Sequence, residues 1–346
     1  MSVLSRWCII AGLLAGLSVE PPANAQAKKG KRVEPLPQEP KKVEQTTSKP
    51  PSKPTLQSIF KLSLSYKFGS PVEPGEPIEY TEFARNGKPI RHRTYEEGEM
   101  KELVISRLDD AGNVVEQWRF ESDSTLVERV MFKYDARNNL TEKDVFDAEG
   151  ELRLKVTYRY DDRSRQMEMV EYEPDGEIDR KLEHEYDKSG RRVLTVEYDR
   201  SGEIRSRTTF EYDARGNTTS ETVLDADGGF QSRKIYKYDS AGRLTEEAAV
   251  EEDGSVQSKV TYKYDPAGNR IEIARYHSGE TLESRETFSY DGRKSPVERA
   301  LYDEENNLIN KFTYKYDQYG TLVEEVELGK LNQPVRLFRY VVQYSM

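Results

Sequence analysis

The sequence predicts an all-β protein: tandem 26-residue β-hairpin repeats forming an antiparallel meander, curled as a single-layer sheet or a shell-like solenoid. Three observations predict it. Tyr recurs every 26 residues, at Tyr134, Tyr160, Tyr186, Tyr212, Tyr238, Tyr264, Tyr290 and Tyr316, and Asp follows each one. Gly usually stands three residues beyond that Asp, as in Asp213 with Gly216, Asp239 with Gly242 and Asp265 with Gly268. Between turns the residues alternate with period two: Tyr262 and Tyr264 share one face of a strand, Thr261 and Lys263 the other.

The elements follow in chain order. Residues 1–25 read as a cleaved secretory signal peptide: a short basic start, an apolar run from Trp7 to Val19, and Ala23-Asn24-Ala25 as the cleavage signal before Gln26. An uncleaved anchor is the alternative. Residues 26–54 form a Lys/Pro-rich linker expected to be disordered, with eight Lys/Arg, three Glu and six Pro. Its charge of +5 leaves −15 for residues 55–346, since the whole chain carries −10. Residues 55–107 read as a capping strand, with alternating Leu62, Leu64, Tyr66 and Phe68, followed by a degenerate hairpin. Residues 108–333 hold about nine repeat units, and 334–346 one closing strand.

Within a unit, Asp can bond backbone N–H groups two residues on, and Gly supplies the positive φ that closes a type I turn with a bulge. Ser164 and Lys294 replace that Gly, so their turns are expected to be looser, and Pro296 to disturb the pairing beside Lys294. A second turn follows twelve residues later, at Gly150, Gly176, Gly202, Gly228 and Gly254. Because 26 is even, the ladder Tyr face is expected to persist from unit to unit and to gather Val170, Val196 and Val326, then Phe146, Tyr172 and Tyr198. Glu142, Glu246, Glu272 and Glu298 fall on that nominally apolar face and contradict it. A base five residues before each ladder Tyr marks the other face, with Glu221, Glu247 and Glu325 expected across from it. The sheet is expected to curl with aromatics inside and charges outside.

The string Thr-Tyr-Lys-Tyr-Asp-x-x-Gly-Asn at 261–269, echoed at 235–243, resembles the YD repeats of bacterial Rhs-like secreted proteins over about residues 108–333. The resemblance implies extracytoplasmic β-hairpin repeats linked to surface binding, carbohydrate contact or toxin encapsulation. This chain departs from the large shell-forming members in its longer period and in the expectation of too few units to enclose a toxin and no toxin domain after the repeats, so its repeat Tyr, Asp and Gly carry over as structural residues.

Composition narrows function. With 35% hydrophobic and 34% charged residues, no stretch after residue 25 is a spanning-helix candidate, and the net charge of −10 argues against a nucleic-acid partner. No nucleophile elbow, metalloprotease helix, P-loop or Cys-based metal motif occurs. His92, His184 and His277 are far apart, and His184 stands at an aromatic position as a packed substitute. The expectation is a non-enzymatic binding scaffold without metal or cofactor, secreted or periplasmic, with a glycan or envelope protein as partner. The alternative is a purely structural envelope component tethered through its linker.

Overall fold

A computed structural model describes residues 54–345. The chain divides into Met1–Pro51 and Ser52–Met346. The signal peptide and all of the linker but Pro54 lie outside the described residues.

Among the described residues there are 23 strands, each paired antiparallel with the next along the chain from Glu76–Phe83 to Pro334–Ser345. The opening strand, Thr55–Lys67, lies between Glu76–Phe83 and Pro334–Ser345 and pairs with both, so 22 strands close into a ring. The remaining strand, Ser70–Pro71, pairs only with the opening strand. Thr55–Lys67 is therefore a closing strand as much as Pro334–Ser345 is, and not a cap on a stack. Phe60 packs edge-on against Tyr80 at 6.1 Å and Tyr95 at 6.0 Å along this seam.

The turns alternate between two rims. Those following the ladder tyrosines line one rim, and the second turns line the other. Each turn of the repeats is a three-residue loop: Asp239 donates its N–H to the Arg243 carbonyl at 2.9 Å, and Gly242, at φ 79°, donates to the Asp239 carbonyl at 3.0 Å. Ser164 and Lys294 adopt the same left-handed conformation, at φ 60° and 64°, and keep both bonds at 2.9 and 3.0 Å. Those two turns are regular, contrary to the sequence reading. A side chain at positive φ costs on the order of 1 kcal/mol, which two backbone bonds and the flanking ladder offset. Pro296 pairs with Tyr290, so the ladder there is intact.

The assignment of faces is corrected by a register shift beside every turn of the repeats. Lys133 pairs with Glu142, yet Tyr134 pairs with Leu140, so one extra residue is accommodated in the return strand. Beyond the shift, even-numbered residues of one strand share a face with odd-numbered residues of the next. Phe132 thus stands opposite Lys143, and Arg129 opposite Phe146. The second turn shifts the register again, between Val145 and Phe146, and restores the parity. Two shifts per unit cancel, so the ladder tyrosines do share a face. The return strands, however, are inverted relative to the simple alternation. Val170, Val196 and Val326, with Phe146, Tyr172 and Tyr198, lie on the face of the bases. Glu221, Glu247 and Glu325 pair with Phe210, Tyr236 and Tyr314 on the aromatic face.

The same inversion accounts for the four glutamates. Glu142 lies on the basic face, in ion pairs with Lys133 and, at 2.8 Å, with Lys155. Glu272 likewise holds Lys263 at 2.7 Å and Arg285 at 3.4 Å. Glu246 pairs with Lys237 at 2.8 Å and Glu298 with Lys311 at 2.6 Å. On its other side Arg285 stacks 4.4 Å from the ring of Tyr302, and Lys181 lies 4.3 Å from that of Tyr198. Arg285 therefore bridges a carboxylate on the preceding strand and an aromatic ring on the following one, whereas Lys181 takes its carboxylate, Glu183, from its own strand.

Both faces are consequently mixed, not one apolar and one charged. Buried side chains occur on each: Val130, Val156 and Ile273 on the aromatic face, Val170, Ala248 and Ala300 on the basic one. Most other strand residues are half-exposed, so the wall is a single layer whose stability comes from cross-strand neighbours.

The carboxyl of Glu142 is held down to about 2, first by its bond to Lys133 and then by Lys155, while burial opposes them. Glu116 and Glu286 are also lowered, although burial, the largest influence on each, pulls upward; their pairs of arginines outweigh it. A depressed carboxylate contributes stability that is complete above its unfolded value and lost as pH falls toward its folded one. Asp144, pushed up by burial and by Glu142, opposes part of this. Thermal midpoints measured against pH should therefore fall steeply from about pH 4.5 to 2. Glu142→Gln should cost about 1–3 kcal/mol at neutral pH and flatten that slope. An unchanged profile would mean that the bridging carboxylates are solvated bystanders.

Candidate functional site: the tyrosine rim

On the rim beside the ladder tyrosines, each unit with Arg after the glycine position links three side chains. Asp239 accepts from the backbone N–H of Ala241 and of Arg243, both at 2.9 Å, on one oxygen, and from Arg243 Nε at 2.7 Å on the other. Asp213 and Asp265 do the same with Asn217 and Asn269 in the place of the arginine. The bond two residues on was legible in the sequence; the bonds to the fourth residue were not anticipated. Arg243 then lies 4.7 Å from the ring of Tyr264 in the next unit, as Arg165 does over Tyr186 at 4.7 Å and Arg191 over Tyr212 at 4.8 Å. These arginines follow the glycine position directly, and the recurring Arg or Asn there was the available signal.

Each ladder hydroxyl donates to a backbone carbonyl twenty residues earlier. Tyr238 bonds the Thr218 carbonyl at 2.8 Å, Tyr264 that of Leu244 at 2.8 Å, and Tyr160 that of Leu140 at 2.9 Å. The same bond is made by Tyr134, Tyr186, Tyr212, Tyr290 and Tyr316. Each acceptor begins a return strand and lies outside the paired register with the tyrosine's own strand, which starts at Ser220 and Ile235 in the case of Tyr238. The phenol thus caps a carbonyl that the sheet leaves over, which accounts for Tyr where Phe would pack equally well. All the ladder rings are half-buried, between the two extremes the sequence left open.

The electrostatics follow from this geometry. Asp161 is held down to about 2, first by its side-chain bond to Arg165 and then by the Arg165 backbone N–H. Burial raises the Tyr238 phenol, helped by Asp213. Tyr236 is pushed up to about 12, by burial and then by Glu221 and Glu247. These groups stay in one charge state near neutral pH.

Successive turns leave shallow clefts on this rim. One, of about 530 Å³, is lined by Asp213, Arg215, Thr219, Tyr236, Tyr238 and Asp239 among others. A second, of about 470 Å³, is lined by Asp161, Asp162, Arg163, Arg165, Asp187 and Lys188. No group of three or more His, Cys, Asp and Glu that could hold a metal ion occurs among the described residues. His184 is buried and bonds Thr195 Oγ1 at 2.9 Å; burial lowers its pKa, followed by the charge of Arg192.

A family model covers residues 43–215 and 210–339 of the chain, under the description "Uncharacterised protein". The chain belongs to that family. No curated protein matches it. Among solved structures it is similar to the complex TcdB2-TccC3-TEV, at 13% identity over 75% of this chain and 19% of that one, with a TM-score of 0.26. It is also similar to the Tc holotoxin pore of Photorhabdus luminescens, at 12% identity over 78% and 19%, TM-score 0.28. A third similarity is to a porin-like protein of Bacteroides uniformis, at 12% identity over 83% and 96%, TM-score 0.31. The chain thus spans about a fifth of the toxin chains it matches.

Tyr238→Phe keeps the ring and removes only the capping bond, so it should cost about 1 kcal/mol in denaturant titration. Tyr238→Ala should cost more, about 2–3 kcal/mol for a half-buried ring. Equal losses for the two variants would show that the hydroxyl, and not the ring, holds the rim together.

Proposed function

We propose that this protein is a non-catalytic secreted or periplasmic scaffold of YD-repeat type that binds a glycan at the cell envelope through the clefts of its tyrosine rim. The observation that carries this reading is the cleft between Asp213 and Asp239, where the rings of Tyr236 and Tyr238 stand beside two carboxylates and the Arg215 guanidinium. Aromatic faces pack against the C–H faces of sugar rings, while fixed carboxylates and guanidinium groups take up hydroxyls bidentately. The secreted or periplasmic location rests on the signal-like residues 1–25, and the YD-repeat relationship on the Tyr-Asp-x-x-Gly series.

A lipid-spanning barrel is disfavoured by the ions at mid-strand on both faces. Glu142 and Lys155 lie on one, Glu247 and Arg299 on the other. A charge facing the bilayer midplane costs about 2–4 kcal/mol, so neither face forms a lipid-facing band.

The mature chain on a glycan array should show saccharide binding that Tyr236→Ala and Arg215→Ala each weaken about tenfold. An array with no signal above background would overturn the glycan reading and favour the purely structural, tethered component.

A further inference from the structure

The cleft between Asp213 and Asp239 is one member of a set. It takes Arg215 from two residues after the first Asp, and Tyr236 and Tyr238 from the strand that leads to the second. Asp135, Arg137, Tyr158, Tyr160 and Asp161 repeat the series earlier in the chain. Asp291, Arg293, Tyr314, Tyr316 and Asp317 repeat it later. The spacing is even: 215 − 137 = 78 and 293 − 215 = 78, which is three units each way. In the other five intervals between successive turns the series is broken. Phe132, His184, Phe210 and Phe288 take the place of the first Tyr, and Ala241 takes the place of Arg before Tyr262.

The three complete sets are alike in geometry as well as in residue type. Arg137 donates from Nη1 to the Asp162 carbonyl at 2.6 Å, Arg215 to that of Ser240, and Arg293 to that of Gln318 at 3.5 Å. Each guanidinium thus reaches across the gap to the residue after the next turn's Asp. Arg163 holds the same place in its turn and lines the second cleft, but its side chain makes no such bond among the described residues. The first Asp of each set accepts from that arginine's own backbone N–H, at 2.8 Å for Asp135 and Asp291 and 2.9 Å for Asp213. The ladder hydroxyls of Tyr160, Tyr238 and Tyr316 are committed to carbonyls. A guanidinium with unspent N–H groups is therefore held at a fixed place beside a ring whose orientation is set, so little is lost in ordering the site.

We propose that these three clefts are equivalent saccharide subsites, so that one chain grips glycan trivalently along a single rim. The inference rests on the glycan reading and adds two sites to it. Six strands separate each subsite from the next, about 30 Å of rim. The three therefore engage separate sugars of a polymer or of a glycan-coated surface, and their linkage multiplies affinity without any new contact. Val297 stands where Thr141 and Thr219 stand in the other two sets, so the third subsite lacks a hydroxyl and is the weakest. The opposite rim holds no such series; its nine turns, from 121–125 to 329–333, carry 19 Asp/Glu against 2 Lys/Arg.

The test is an array printed at several densities with two- and six-sugar oligomers of β-linked glucose, N-acetylglucosamine and galactose and of α-linked mannose, probed with the mature chain. All the arginines concerned are exposed, so replacing them leaves folding intact. At high density Arg137→Ala should weaken binding about tenfold, as Arg215→Ala does, and Arg293→Ala about threefold. The triple variant should give no signal, and the signal of the unsubstituted chain should fall more steeply than the printing density. Arg163→Ala should cost less than any of the three, and Glu304→Gln on the opposite rim should bind as the parent does. Loss in Arg215→Ala alone, with Arg137→Ala and Arg293→Ala binding as the parent, would overturn the proposal and leave a single glycan cleft standing. Equal loss in Arg163→Ala, or a signal simply proportional to density, would overturn it in the same way. No signal from the unsubstituted chain would overturn both readings together.

Discussion

Every reversal in the repeats of this wall places one more residue on one strand than on its neighbour, and the rest of the structure depends on that mismatch. A closed turn of Asp, two residues and a left-handed position reverses the chain; the adjacent register shift then exchanges the faces of the returning strand. The exchange sets Glu142 and Glu272 among lysines and arginines and places Glu247 and Glu325 beside tyrosines. It also leaves a backbone carbonyl beyond the end of each ladder, which the next unit's phenol takes up. The turn, the ion-pair rows and the tyrosine series are three expressions of one backbone constraint.

That constraint explains what could be read in the amino-acid order and what could not. The hairpin repeat and its turns were legible because Tyr, Asp and Gly recur at a fixed interval and each has a local conformational reason. The common side of the ladder tyrosines was legible too, since shifts occurring in pairs preserve parity over a whole unit. The return strands were misplaced because an inserted residue leaves no compositional mark; the misplaced glutamates were its only trace. Lys294 and Ser164 looked unsuitable for their positions because intrinsic preference weighs about as much as one hydrogen bond, and tertiary pairing supplies several. Closure by Thr55–Lys67 was hidden for a different reason: its partner lies at the opposite end of the chain, and no local pattern reports a contact of that separation.

The two mixed faces have a bearing on how such a sheet dispenses with a second layer. A conventional sandwich hides one face and wets the other. Here long side chains lie along the wall, so that small residues such as Ala248, Ala274 and Ala300 are covered by neighbouring arms and not by a second layer. Open edges, the usual hazard of an extended sheet, are removed by the ring. The rims are then the places where the chain presents concentrated chemistry: paired acids and bases with phenols at one, and acids with stray apolar groups at the other.

Closure has a consequence for biogenesis. The strand that seals the ring is synthesised first among the described residues and its mate last; the bond from Ser58 to Gln343 joins positions 285 apart. Until the final hairpin emerges, Thr55–Lys67 keeps an unpaired edge of alternating leucines and aromatics, open to any other extended chain. A nascent molecule therefore passes through its most adhesive form just before completion, and whatever shields that edge in the cell governs the yield of finished rings.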